Sequence, residues 1–205
     1  MNDRSHQSYG QRTLTAIDRF GVWLSRKTIL RELQHRSDLD ILELGCGFHA
    51  SHLRALTPRL KSGVGVDFQI APELKVLDKL RFYEGAIDEA LVQLEAGAFD
   101  AVLMISVLEH LDDALSVVTT VRGLLRPAGV LLINVPTWRG KTFLEFSAFR
   151  AGLSSKLEMD DHKMYYDKRD LWPLLVKAGF KPSAIKLRYH KFGLNLFAAA
   201  RRDDA

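Results

Sequence analysis

From residue 39 onward, short hydrophobic runs alternate with stretches in which apolar residues recur at helical spacing. The runs predict strands because they are almost continuously apolar; they lie at 41–44, 63–67, 81–83, 101–105 and 130–135. Helical spacing separates them at 50–57, 71–79, 86–95 and 112–125. Strands buried on both faces read as continuous apolar runs, so the alternation predicts a parallel sheet with helices on both faces.

The pattern changes after residue 135. Residues 137–166 carry aromatic and charged side chains without a strand signal, and a helix is predicted at 168–178. Two final strands are predicted at 184–189 and 194–201. We expect this pair to be antiparallel, because the link is short and a parallel crossover needs about a dozen residues or more.

The expected organisation is one α/β domain preceded by helix. Residues 1–36 predict an N-terminal helical segment, because apolar residues recur at helical spacing over 11–36. Residues 37–205 then form the domain that contains the sheet. Within it, residues 137–166 follow a sheet strand and are expected to form a lid over a substrate.

Composition narrows the class of protein. The chain has 205 residues, 47% of them apolar and 26% charged, as expected for one globular domain. It carries a net charge of +4 without a run of Lys or Arg, so nucleic acid is not an expected partner. One cysteine, no signal-peptide pattern and no apolar run long enough to span a bilayer favour the reducing cytoplasm.

The first strand ends in a turn suited to a nucleotide-like cofactor. Gly45 and Gly47 allow close approach of backbone to a ligand, and a helix is predicted directly afterwards. The spacing fits a dinucleotide loop, with Asp67 at a suitable distance. Glu43 argues against NAD, because its carboxylate would repel a pyrophosphate and attract the ammonium group of a methionine moiety. The antiparallel pair also differs from an all-parallel dinucleotide fold.

Several motifs then occur in the order seen in class I S-adenosylmethionine-dependent methyltransferases, which the chain resembles over roughly residues 38–200. They are Glu-Leu-Gly-Cys-Gly at 43–47, Val-Gly-Val-Asp at 64–67, Phe-Asp-Ala-Val at 99–102, Val-Leu-Glu-His-Leu at 107–111, Leu-Leu-Arg-Pro-Ala-Gly at 124–129 and Leu-Leu-Val-Lys-Ala-Gly-Phe at 174–180. The resemblance is strongest to the small-molecule group that includes ubiquinone-biosynthesis O-methyltransferases. It implies a Rossmann-like seven-stranded sheet and S-adenosylmethionine as cofactor.

The resemblance also implies roles for matching residues. The methionine end of the cofactor would lie on Glu43, Gly45 and Gly47, the ribose on Asp67, and the adenine beside Phe68. Backbone N–H groups of Ala86 or Ile87 would reach the adenine amino-group edge, with the Asp88 side chain as the alternative. Ile105, Ser106 and Val107 would border the transferred methyl group. The chain departs from the family at His49, where a third glycine is usual.

Two histidines are candidate general bases. His110 follows the fourth strand, and His162 lies in the expected lid. The alternative for His110 is a histidine at a helix entry that bonds to local backbone, and the alternative for His162 is an exposed loop histidine. Glu109 and His110 supply too few oxygen ligands for magnesium, so no metal is predicted. His49 and His52 are expected on a solvated helix face.

The leading hypothesis is methyl transfer to a small-molecule acceptor, or one carrying a lipid or sugar, and oxygen is the preferred atom. An NAD-dependent oxidoreductase and a non-catalytic binding protein are the alternatives. Aromatic and basic residues over 138–157 also allow peripheral membrane contact. The oligomeric state stays open.

Overall fold

A computed structural model describes residue 9 and residues 16–34, 36–142 and 163–203. The strands of this part of the chain are β1 (Leu39–Leu44), β2 (Leu60–Asp67), β3 (Leu80–Glu84), β4 (Phe99–Ile105), β5 (Leu125–Pro136), β6 (Ile185–His190) and β7 (Asn195–Arg201). The α-helices bounded within it are α1 (Ala16–Leu33), α2 (Ser51–Leu56), α3 (Ile87–Leu91), α4 (Ala114–Leu124) and α5 (Lys168–Lys177).

The seven strands form one mixed sheet in the order β3-β2-β1-β4-β5-β7-β6. Strands β1 to β5 pair in parallel, whereas β7 is antiparallel to both β5 and β6. The predicted fold class is therefore confirmed, including the antiparallel C-terminal pair. Since β7 begins opposite Pro136, the turn between β6 and β7 lies at the carboxyl edge of the parallel strands.

Alternate residues of the strands build a separate core on each face. In β1, Leu42 and Leu44 face one core and Ile41 faces the other, as the two-residue repeat of a strand requires. Helices α4 and α5 cover the first core, and α1 and α2 cover the second. The strands are almost continuously apolar because both faces of the sheet are buried.

Helix α1 runs across the second face. Its C-terminal residues Ile29 and Leu33 are fully buried in that core, and β1 begins shortly afterwards at Leu39. The N-terminal half of α1 therefore points toward the carboxyl edge. The position of Gly21 agrees with this direction, because a Cβ built there would lie 3.6 Å from the Lys191 ammonium nitrogen in the β6–β7 turn.

The opposite, amino edge is held by ionic contacts. The Arg126 guanidinium donates to Asp40 at 2.8 Å and to Asp100 at 2.6 Å. Asp100 also accepts from the Asp40 backbone N–H at 2.9 Å, which joins the starts of β1 and β4. These contacts lie away from the carboxyl edge and hold the sheet together.

The prediction of a helix at 71–79 is wrong. The structure has a single 3-10 turn at Pro72–Leu74, followed by further turns. Leu74 is buried there, but Val76 is 78% exposed, so the apolar residues do not form one buried helical face. The backbone N–H of Ala71 instead donates to the Phe48 carbonyl, which draws this connection against the glycine turn.

Candidate active site

The glycine turn after β1 has the conformation that glycine allows. Gly45 and Gly47 have φ angles of 67° and 74°, in the left-handed region. The Gly45 N–H donates to the Val66 carbonyl at 2.8 Å, which ties the turn to β2. A Cβ at Gly45 would lie 2.3 Å from a methyl carbon of Val107, so the turn also fits closely against the end of β4.

The departure at His49 has a structural counterpart. Ala50 takes the left-handed conformation, with φ of 43°, at the N-cap of α2. The chain therefore enters α2 through a strained non-glycine residue one position after His49. Helix α2 begins at Ser51, as short as the sequence pattern suggested.

Tyr9 lies against this turn and was missed by the sequence analysis. Its backbone carbonyl accepts a hydrogen bond from the Phe48 N–H at 2.8 Å. A Cβ at Gly47 would lie only 3.0 Å from that oxygen. The absence of a side chain at Gly47 thus leaves room for the Tyr9 backbone close to the turn. No periodic pattern marks Tyr9, so the sequence carried no signal for it.

Glu43 is a buried carboxylate with one unsatisfied oxygen. Its side chain is 1% exposed, and Oε2 accepts the Leu53 N–H at 3.2 Å. Oε1 has no hydrogen-bond partner. Burial raises the pKa of Glu43 well above its usual value, and the nearby Asp67 adds to the rise. The orphaned oxygen fits a buried cationic donor such as an ammonium group.

Asp67 links the ends of β1 and β2. Its Oδ2 accepts the Gly47 N–H at 2.7 Å, and Oδ1 accepts the Phe68 N–H at 2.8 Å. A carboxylate offers about four acceptor sites, which is the chemistry that pairs with sugar hydroxyl groups. The Phe68 ring is 37% exposed beside it, available for contact with a flat ligand.

The residues predicted near adenine lie at the next strand end. The Gly85 N–H donates to the Asp67 carbonyl at 3.0 Å, which brings the end of β3 beside the end of β2. Ala86 is the N-cap of α3, and Ile87 is its first residue. Both are partly buried, whereas Asp88 is exposed. The backbone and the carboxylate both stay candidates.

Ser106 holds a strained position directly after β4. Its φ is 57°, which is uncommon for a non-glycine residue and concentrates at functional sites. The Ser106 N–H donates to the Asn134 carbonyl at 2.8 Å, so β5 supports this conformation. Ser106 is exposed, Ile105 is partly buried and Val107 is buried. The exposed serine faces solvent at the edge where Glu43 and Asp67 also lie.

The following turn contains a second buried carboxyl group. Glu109 is 1% exposed, and its Oε2 has no hydrogen-bond partner. Burial raises its pKa to about 8. The adjacent His110 is partly buried, whereas His162 lies outside the described residues. The role of His162 as a base therefore stays a prediction.

No group of three or more His, Cys, Asp or Glu side chains suited to a metal ion occurs within the described ranges. The lone cysteine, Cys46, is buried, and burial raises the pKa of its thiol. It therefore packs beneath the glycine turn. Nothing in the same ranges forms a helix long and apolar enough to cross a membrane.

The expectation for His52 is wrong. Its side chain is 7% exposed, and its Nδ1 is buried without a hydrogen-bond partner. Burial lowers the pKa of His52 to about 4, and the charges of Arg26 and Lys191 add to this effect. The short α2 does not have a solvated face at this position, because α1 packs over it.

Both ends of the 137–166 segment are fixed at the carboxyl edge. Thr137 donates from its N–H to the Leu194 carbonyl at 3.0 Å. On the return, the Lys163 N–H donates to the Glu109 carbonyl at 2.9 Å, and the Tyr166 N–H donates to the Pro136 carbonyl at 3.1 Å. Residues 143–162 lie outside the described residues, so the lid and the membrane contact over 138–157 stay predictions.

Comparison with known proteins identifies the family. A family model described as a methyltransferase domain matches residues 16–185. Ubiquinone biosynthesis O-methyltransferase of Xanthomonas campestris pv. campestris is 30% identical over 102 residues, which cover 46% of this chain and 41% of that protein. The protein of the same name from Xanthomonas axonopodis pv. citri matches over the same shares. The match thus spans about two fifths of the length of these curated relatives.

Solved structures share the fold at low sequence identity. A chain in the complex of the Haloferax volcanii Trm112 methyltransferase activator with a putative methyltransferase superposes with a TM-score of 0.71 at 14% identity, covering 89% of this chain and 90% of that chain. A SAM-dependent methyltransferase from Aquifex aeolicus gives a TM-score of 0.64 at 14% identity, covering 87% and 90%.

The family match agrees with the sheet order, the antiparallel last strand and the buried acid before the glycine turn. S-adenosylmethionine, the predicted cofactor, is the cofactor of this family, whereas the dinucleotide alternative has no support from the match. The chain belongs to the class I S-adenosylmethionine-dependent methyltransferases.

Proposed function

We propose that this protein transfers a methyl group from S-adenosylmethionine to an oxygen of a small-molecule acceptor. The observation that carries the proposal is Glu43, a buried carboxylate with an unsatisfied oxygen directly before the glycine turn. A methionine ammonium would satisfy that oxygen, and a dinucleotide phosphate would be repelled by it. The name of the Xanthomonas relatives supports oxygen as the methylated atom.

The cofactor residues would act by orientation. Glu43 would accept a hydrogen bond from the ammonium group, and Asp67 would accept hydrogen bonds from ribose hydroxyls. Phe68 would cover one face of the adenine, and the backbone of Ala86 or Ile87 would contact its edge. These residues would together orient the methyl donor.

When bound, S-adenosylmethionine would supply an activated methyl group, whose carbon the acceptor oxygen attacks in line as the carbon–sulfur bond breaks and S-adenosylhomocysteine leaves. The protein's part is to hold the acceptor oxygen close and aligned, an effect worth about 7–11 kcal/mol. Ile105 and Ser106 would border the methyl group at the end of β4. Water must be kept out of this region, which suits the expected lid at 137–166.

A hydroxyl acceptor must also lose a proton. His110 lies at the carboxyl edge, one turn after Ser106, and is the base that we propose. A positioned base contributes about 10²–10⁴-fold to such a step. His162 stays the second candidate.

The test is turnover with a library of hydroxyl-bearing small molecules, detected as formation of S-adenosylhomocysteine. We expect at least one phenol or sugar-type acceptor to be methylated at oxygen. Absence of turnover across the library, with S-adenosylhomocysteine still bound, would favour the non-catalytic binding protein. A product methylated at carbon or nitrogen would contradict the choice of oxygen.

The variant His110→Gln separates the base from the transfer itself. We expect its turnover to fall by about 10²–10⁴-fold while the affinity for S-adenosylhomocysteine is unchanged. Turnover equal to that of the unaltered protein would refute the role of His110 and leave methyl transfer intact.

A further inference from the structure

A group of polar side chains occupies the carboxyl edge beside the predicted methyl site and is not used by the proposed mechanism. Its members come from α1, α2, the end of β6 and the turn between β6 and β7. We call it the basic cluster, and it consists of Ser25, Arg26, His52, His190 and Lys191.

The β6–β7 turn directs Lys191 inward. Lys191 and Phe192 both have left-handed backbone conformations, with φ of 48° and 60°, and Gly193 follows at 85°. Two such non-glycine residues in sequence are strained and persist only where the surrounding structure holds them. The outcome is that Phe192 is 86% exposed while the Lys191 ammonium lies against Gly21 of α1.

The turn is anchored to the start of the 137–166 segment. Thr137 donates from its hydroxyl to the Gly193 carbonyl at 2.9 Å, and Leu194 accepts from the Thr137 N–H at 3.0 Å. The strained turn is thus fixed where β5 ends. Because β5 also supports Ser106 through Asn134, the cluster and the predicted methyl site share one edge and one supporting strand.

The cluster contains hydrogen-bonding atoms that the described residues do not satisfy. Within those residues, Ser25 Oγ, Arg26 Nε, His52 Nδ1 and His190 Nε2 are all buried without a partner. Ser25 is 1% exposed and His52 is 7% exposed. The Lys191 backbone carbonyl accepts from the Leu194 N–H at 3.1 Å, whereas its ammonium forms no ion pair or hydrogen bond in the described part of the chain. Buried polar atoms without partners are rare in proteins, and each one calls for an explanation.

The charges around Lys191 are also unbalanced. Burial lowers the pKa of Lys191 to about 8, so the ammonium is still mostly charged at neutral pH. The acid that interacts electrostatically with Lys191 is Glu109. Its carboxyl is mostly protonated at neutral pH, because burial raises its pKa to about 8. Arg188, near His190, is already paired with Glu32 at 2.7 Å. Among the described residues, the basic groups of the cluster therefore outnumber the charged acids that face them.

We propose that the basic cluster binds an anionic group of the methyl acceptor, either a carboxylate or a phosphate. This inference rests on the proposed function, because it names the class of molecule that receives the methyl group. An anionic oxygen group accepts hydrogen bonds from the Lys191 ammonium, the Arg26 Nε–H and the Ser25 hydroxyl at once. It supplies the missing charge and the missing acceptors in one step.

The test uses three ring compounds that differ in one group: benzoate, phenyl phosphate and phenol. Each is titrated calorimetrically into the protein with saturating S-adenosylhomocysteine at about 0.15 M salt, where exposed charges are largely screened. We expect benzoate or phenyl phosphate to bind at least about tenfold more tightly than phenol. The preferred anion of the two distinguishes carboxylate from phosphate recognition.

The variant Lys191→Met carries the test, and Lys186→Met is its matched control. Lys186 is exposed on β6, a few residues before the turn. We expect Lys191→Met to lose the anion preference and Lys186→Met to keep it. Equal binding of the three compounds, no measurable binding of either anion at millimolar concentration, or an unchanged preference in Lys191→Met would overturn the proposal.

Thermal unfolding adds a readout that a purely structural lysine would move in the opposite direction. Removing a buried, unpaired charge should raise the Tm of the ligand-free protein, by about 2–4 °C. A lower Tm for Lys191→Met would indicate that Lys191 serves packing and would contradict ligand binding.

Failure of this inference and failure of the proposed function are distinguishable. S-adenosylhomocysteine binding is measured in the same titrations, before the ring compounds are added. Normal binding without anion preference overturns the acceptor class alone. No binding of S-adenosylhomocysteine overturns the proposed methyl transfer.

Discussion

The substitution Glu43→Gln tests the cofactor site most sharply, because it removes a charge and keeps the shape of the side chain. The Leu53 N–H can still donate to the amide oxygen, so α2 stays attached to β1. The buried oxygen that lacks a partner is the one proposed to receive the ammonium group. Any loss of affinity therefore reports the charge at that point.

The magnitude follows from the burial of Glu43. A hydrogen bond to a charged group is worth about 1.5–3 kcal/mol, and its partner here would be fully desolvated. With about 1.4 kcal/mol for each factor of ten, Glu43→Gln should weaken binding of S-adenosylhomocysteine by about 10–100-fold. Isothermal titration calorimetry measures this difference directly. The control is Glu95→Gln, an exposed acid in the connection before β4 at the amino edge, which should bind normally.

The pH dependence of S-adenosylhomocysteine binding gives a second, independent test of the role of Glu43. Burial raises the pKa of Glu43 in the ligand-free protein and so favours the protonated carboxyl, whereas a bound ammonium group favours the carboxylate. Affinity for S-adenosylhomocysteine should therefore rise with pH as the raised pKa of Glu43 is approached, with release of a proton. The Glu43→Gln variant should lose this rise. Equal affinity in both proteins at every pH would refute the role of Glu43.

Three further changes probe other parts of the structure. Glu109→Gln should make the unfolding free energy of the ligand-free protein less dependent on pH. The native pKa of about 8 lies above the ordinary 4.5, so the folded state keeps a proton that the unfolded state loses. Stability therefore falls as pH rises, by about 2 kcal/mol between pH 6.5 and 8, a loss that urea unfolding of the variant should not show. Arg126→Met should lower the unfolding free energy by about 1–3 kcal/mol, because two partly buried carboxylates lose their shared donor. The more exposed Arg36→Met should cost less than about 1 kcal/mol in the same assay, and equal costs would contradict this reasoning. Deletion of residues 1–9 should weaken S-adenosylhomocysteine binding about 3–10-fold, since the Phe48 N–H loses its carbonyl partner. Tyr9→Ala keeps that carbonyl and should retain more affinity in the same titration; identical affinity for the deletion and the full chain would count against the contact.

The window for the Glu109 prediction is set by its neighbours. Burial lowers the pKa of His52 and of His190 to about 4, so the folded state holds fewer protons than the unfolded state between pH 4 and 6.5. These histidines make stability rise with pH over that range and oppose the carboxyl groups. As pH rises above 6.5 the histidines of the unfolded state lose their protons as well, and their effect fades. The slope is then set by the buried acids and by Lys191, whose folded pKa of about 8 lies below its ordinary 10.5 and therefore makes stability rise with pH, against the larger effect of Glu109.

The strands and their order along the chain could be predicted because each is nearly continuously apolar. The runs at 41–44 and 130–135 fall inside β1 and β5, and the short link at 191–193 correctly indicated an antiparallel pair. The prediction of a helix at 71–79 was wrong for a reason that hydrophobic periodicity cannot reveal. Ala71 is drawn to the Phe48 carbonyl by a tertiary contact, and the apolar residues after Leu74 are left exposed.

The cofactor side of the site was accessible to sequence reasoning, and the acceptor side was not. Glu43 and Asp67 lie in motifs that strand ends place together in any fold of this class. Lys191 and Arg26 are far apart in sequence, and both lie near His52 because α1 crosses the sheet toward the β6–β7 turn. His52 looked like a surface residue because the packing of α1 over α2 leaves no local pattern. The available sequence signal for the acceptor side was Lys191, a lysine in a short turn beside the end of β5.

The most direct measurement is calorimetric titration of the unaltered protein with S-adenosylhomocysteine and, separately, with NADH. The buried acid before the glycine turn predicts saturable binding of S-adenosylhomocysteine at one site per chain and no detectable binding of NADH. Binding of NADH without binding of S-adenosylhomocysteine would contradict the assignment of the site to a methyl donor.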